Sequence, residues 1–153
     1  MASRAILLVA LAGFLNLVRA DDVPKLAGSK LTSDEAVKQS DVVFIGKVTD
    51  AGTKWPARPE NTHGIKISIS QFLRASIPPY LRTPAFSDKP ILVTAQMKCV
   101  ANESPPMVGN SYIFFAEEWI EGQYYDPIEA LKVLPVTDDN IAKVKAAIAG
   151  QGK

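Results

Sequence analysis

Cys99 is the only cysteine of the chain and His63 its only histidine. The two side chains that most often serve as nucleophile and base therefore each occur once. Covalent catalysis needs a base beside the nucleophile and a third group to orient that base, and nothing near His63 in the sequence supplies one. Glu117, Glu118, Glu121, Asp126 and Glu129 form an acidic run that invites a calcium reading. Adjacent Glu117 and Glu118 in an extended segment point to opposite faces, however, and no Asp-x-Asp-x-Asp-Gly spacing occurs. A solvated acidic face is the expected outcome. Asp138-Asp139-Asn140 has the form of a helix start, and zinc finds no cluster of His and Cys. No catalytic residue, metal ligand or cofactor is expected.

Three positions carry other chemistry. Trp55, between Lys54 and Pro56, has the character of an interface anchor with Arg58 and His63 beside it, because tryptophan is enriched among binding hot spots; the alternative is that it folds back over the body of the domain. Cys99 is either a buried thiol or the half of an intermolecular disulfide that links two copies into a dimer. Asn102-Glu103-Ser104 satisfies the N-glycosylation pattern in a segment that reads as a loop.

The surroundings in which this chemistry would operate are set by the start of the chain. Arg4 is followed by an apolar run from Ala5 to Leu17, and Val18-Arg19-Ala20 offers small residues around a cleavage point. That is the pattern of a secretory signal peptide over residues 1–20, with a mature protein beginning at Asp21. The run is shorter than the ~20 apolar residues of a membrane-spanning helix, so membrane insertion is not expected. Without Arg4 and Arg19 the chain holds 15 basic and 16 acidic residues, a formal charge of −1. Such a balance argues against nonspecific nucleic-acid binding. Residues 41–100 contain eight basic residues against four acids, whereas residues 101–130 contain six acids and no base, which places charge of opposite sign on different faces.

Residues 21–153 amount to one domain, large enough to bury a core without disulfides. Asp21 to Leu31 reads as mobile, and Ser33-Asp34-Glu35 as a short helix start with a capping hydroxyl, followed by inward-facing Ala36 and Val37. DVVFIGKVT at 41–49 has apolar residues on both faces, and Gly46 within it marks a bulge or bend suited to a curling sheet. Ile65, Ile67, Ile69 and Leu73 alternate with Lys66, Ser68, Ser70 and Arg74, a period of two. Ala51 to Gly64 between these strands reads as a long projecting loop. Further strands are expected over 91–98, 111–119 and 130–136, with residues 101–111 a loop. Thr137 then caps a helix over 138–149 that buries Ile141, Val144 and Ile148 and stops at Gly150.

SDVVFIGKV at 40–48, ILVTAQMKC at 91–99 and VGNSYIFFAEE at 108–118 resemble tissue-inhibitor-of-metalloproteinase-like and netrin-like domains. The resemblance covers roughly residues 36–136. It implies a mainly β fold, a five-stranded OB-type barrel with a short N-terminal helix and a C-terminal helix packed on it. The family's inhibitors place an N-terminal cysteine over a protease zinc. This chain departs from that pattern, since it begins its mature part with Asp21, lacks Cys-x-Cys, and leaves Cys99 without its usual partner. The signal peptide, the strand series and the lack of a nucleophile, base and orienter combination together lead to the expectation of a secreted, non-enzymatic module on that scaffold that binds an extracellular protein, chiefly through residues 51–64. Its alternatives are a divergent metalloproteinase inhibitor acting through the Asp21 amine and carbonyl or the 51–64 loop, and a structural component of extracellular or mineralised matrix.

Overall fold

β-Branched and aromatic residues, alternating in period two, drive much of the described chain between Val42 and Pro135 into strands, and the curvature of those strands closes them on themselves. A computed structural model describes residues 25–53, 62–74, 91–117 and 128–152. Its elements run β1 (Lys25–Leu26), α1 (Ser33–Gln39), β2 (Val42–Thr53), β3 (Thr62–Arg74), β4 (Ile91–Lys98), β5 (Glu103–Ser104), β6 (Ser111–Glu117), β7 (Ile128–Pro135) and α2 (Asp138–Gln151). Strands β2-β3-β4-β7-β6 form a closed barrel, antiparallel except for the parallel β4–β7 pair, and β1 pairs parallel with β5 outside it. The fold is mainly β, a five-stranded mixed barrel with two helices, consistent with an OB-type barrel carrying a C-terminal helix.

Two apolar clusters hold the molecule together. Inside the barrel lie Val42, Phe44, Val48, Ile65, Ile67, Ile69, Met97, Tyr112, Phe114 and Val133, with the Phe44 and Phe114 rings stacked at 5.3 Å between centroids. The opposite faces of β2 and β6 contribute Val43, Ile45, Ile113 and Phe115, which pack under Ala36 and Val37 of α1 and Val144 and Ala147 of α2. The two-faced pattern of 42–45 and 112–116 therefore has a direct cause: one face fills the barrel, the other seats the helices. Gly46 sits at a register shift of β2 against β3, and a methyl there would approach Ile67 Cγ2 to 2.4 Å. The strands pass too close at that bend for any side chain.

Several expectations are corrected. Asp21 to Leu31 is not mobile over its described part: Lys25 and Leu26 pair with Glu103 and Ser104, and Ala27 is buried. The α1 cap is Thr32 rather than Ser33; its hydroxyl accepts from the Glu35 amide while the Glu35 carboxylate accepts from the Thr32 amide and hydroxyl. The connection expected over 51–64 is shorter, because β2 continues to Thr53 and β3 begins at Thr62. Leu73 does not share a face with Ile69. The register shift between Ile45 and Gly46 of β2, opposite Gln71 and Ile69, turns Phe72 toward the barrel and leaves Leu73 against the helices. Residues 101–111 contain the short strand β5. Helix α2 runs past Gly150, with Gly152 as its C-cap.

Candidate protein-binding edge

One end of the barrel collects segments far apart in sequence. Thr53 pairs with Gly64, and Thr62 with Lys98, so the end of β2, the start of β3 and the exit from β4 lie there. The Gly109 amide donates to the Val48 carbonyl at 2.8 Å and the Val48 amide to the Asn110 carbonyl at 3.0 Å, which brings residues 107–110 to the same end. Tyr112 pairs with Pro135, adding the end of β7. Met107 (68% exposed) and Val108 (54%) stand out from this rim, joined by the less exposed Val100 and Val136. Met107 and Val108 sit beside one another on a segment held to the rigid barrel.

The segment 25–31 is strapped across the side of this end. The Lys25 amide donates to the Asn102 carbonyl and the Val133 amide to the Ala27 carbonyl, each at 3.0 Å. Gly28, at φ 74°, lies so close to β7 that a methyl would fall 2.1 Å from the Leu131 carbonyl oxygen. The Glu103 carboxylate accepts from the Ser29 amide at 2.8 Å, the Ser29 hydroxyl at 2.7 Å and the Val100 amide at 3.1 Å. From the other side, the buried Lys132 amine donates to the Gly28 carbonyl at 3.1 Å and to that of Leu31 at 2.6 Å.

The electrostatics of this strap follow from its burial. Burial pushes the Glu103 acid group up, but hydrogen bonds from Ser29 and from the Val100 and Gly28 amides outweigh it and hold the group below the usual carboxylate range. Burial lowers Lys132, against the pull of the Glu103 and Glu35 charges. The Cys99 thiol is pushed up to about 11, by burial first and then by the Glu103 charge. It stays protonated at neutral pH, and low thiolate content makes it a poor nucleophile. Lys132 and Glu103 spend their hydrogen bonds on the strap and on Val100, and so hold the strap to β7 and to the turn before β5 as a clasp.

Of the sequence-predicted site residues, Asp21, Trp55 and Arg58 lie outside the described residues. His63 is not in a loop: it is half-buried within β3, opposite Met97 of β4. Cys99 is buried and forms no disulfide within the chain. Asn102 is exposed in the turn before β5, at φ 67°, on the same end as Met107 and Val108. In the acidic run, Glu117 of β6 stands directly opposite Glu129 of β7, both exposed, at the other end of the barrel; Glu118, Glu121 and Asp126 lie outside the described residues. Among the described residues, no group of three or more His, Cys, Asp or Glu is placed to hold a metal ion, and no helix is long and apolar enough to cross a membrane.

Glu103, Lys132, Ser29 and Gly28 escaped the sequence reading. The available signal was a lysine inside the apolar run ALKVL at 130–134, where burial of a long charged side chain demands partners. No protein-family model matches the chain, and a search of curated proteins returns no match.

Proposed function

We propose that this protein is a secreted, non-enzymatic module that binds another extracellular protein through the barrel end bearing residues 100–110, the β2–β3 connection and the strapped N-terminal segment. The observation that carries this reading is the exposure of Met107 and Val108 on a rim whose backbone is tied to β2. The apparent signal peptide at residues 1–20 supports secretion. The test is affinity capture from extracellular fluid with the wild-type chain, the Met107→Asp/Val108→Asp pair and Trp55→Ala. Capture that survives all of these changes would rule out this end of the barrel as the binding surface.

A second reading, metalloproteinase inhibition, is favoured by one feature. Lys25 lies at the same end, and the segment it begins is ordered by β1, Glu103 and Lys132. Ordering a flexible tail costs about 0.5–1.5 kcal/mol per immobilised side chain, and the strap removes that cost up to Lys25. Titration of secreted zinc proteases with protein of verified Asp21 terminus decides it, and an uninhibited panel at micromolar protein eliminates the reading.

A further inference from the structure

We infer that segment Lys25–Leu31 is a strap that opens by itself, with the barrel still folded, when Glu103 loses its charge, and that opening uncovers Cys99 and the β5 and β7 backbone beneath it. The argument starts from what each partner loses. The barrel closes through β2, β3, β4, β7 and β6 without any residue of the strap. The strap in turn has only a two-residue strand and a short list of polar contacts, most of which end on two side chains, Glu103 and Lys132. Immediately after Leu31 the chain enters α1, which carries its own capping box at Thr32 and buries Ala36 and Val37 independently. The Leu31–Thr32 junction is thus a natural hinge, and segments with few buried apolar contacts open before the core does.

The charged groups around the clasp set the trigger. Glu103 faces Lys132 on β7, Lys25 opposite it on β1, and the Cys99 thiol; Lys132 also feels Glu35 of α1. When the Glu103 carboxylate is protonated, the Ser29 and Val100 donors lose a charged acceptor, and the buried Lys132 ammonium loses the stronger of its two opposing charges. The carboxylate is held below its usual range, so its contribution is complete above about pH 4.3 and disappears as pH falls through the lower folded value. The sign for Glu103 therefore opens the strap as pH drops. Leu26 and Ala27 pack with the buried cluster that also contains Cys99, and Cys99 precedes Val100, whose amide donates to Glu103, so the thiol serves as the chemical probe of the opening.

Amide hydrogen exchange measured as protection factors, at about pH 7 and about pH 3, tests the inference on the wild-type chain, Glu103→Gln and Ser29→Ala. In wild type, acid should cut protection of the Lys25 and Val133 amides about tenfold or more while residues 111–117 keep theirs. Glu103→Gln should show the loss already near neutral pH, and Ser29→Ala, which leaves the barrel untouched, a smaller loss in the same amides. Labelling of Cys99 by an acid-active aromatic disulfide should quicken in step. The inference is overturned if strap and 111–117 amides lose protection together at both pH values, if both variants protect Lys25 and Val133 as wild type does, or if Cys99 labelling ignores the opening.

Discussion

Replacing Gly28 by alanine isolates the strap from the barrel. The residue sits at φ 74°, and an added methyl would lie 2.1 Å from the Leu131 carbonyl oxygen and 2.6 Å from Lys132 Cα. A left-handed backbone costs an ordinary residue about 1–2 kcal/mol. The obstructing atoms belong to the backbone of β7, which β6 holds through the Phe115–Lys132 and Phe114–Val133 pairs, so they cannot retreat as a flexible side chain would. Overpacking of this kind typically adds about 1–3 kcal/mol. The sum, about 2–5 kcal/mol, exceeds what a seven-residue strap with one short strand can absorb, so the cheapest relief is undocking. Exchange at the Val133 amide should therefore rise to that of an open strand while β6 amides stay protected, and Cys99 should become reactive toward thiol reagents. Gly150→Ala, in open space within α2, is the matched control and should gain about 0.5–1 kcal/mol through helix propensity. A Gly28→Ala protein whose Val133 amide and Cys99 remain as protected as in wild type would refute the steric argument.

Other substitutions test other layers of the molecule. Phe114→Ala empties the centre of the barrel beside Phe44 and should cost about 3–5 kcal/mol in denaturant unfolding. Thr32→Ala removes the hydroxyl half of the α1 capping box and should lower stability by about 0.5–2 kcal/mol, seen as a shifted urea midpoint with unchanged slope. For Cys99, a folded value of about 11 lies above the ordinary thiol. Its contribution to stability is therefore present below the unfolded thiol range and lost as pH rises toward about 11, and the native thiol should resist iodoacetamide at about pH 8 yet react on unfolding; prompt native alkylation, read by intact mass, contradicts this.

Local pattern was enough to lay out the strands. The isoleucines at 65, 67 and 69 declared a strand because period two places them on one face, and SYIFFA at 111–116 declared a strand covered on both. Thr137 with Asp138 and Asp139 announced α2. Periodicity, capping chemistry and β-branching act between neighbours, so the sequence carries them openly. What lay beyond it depends on which distant residues meet. Leu73 left the face of Ile69 because of a bulge that exists only in the pairing of β2 with β3. His63 became a strand residue because Met97 pairs with it on the neighbouring strand β4. The strap is the clearest case: residues 25–31 look unstructured alone, and they are ordered by Glu103, 74 residues beyond Ser29, and by Lys132, 104 beyond Gly28. No local preference encodes a carboxylate and a buried amine converging on one turn; only closure of the barrel brings them there.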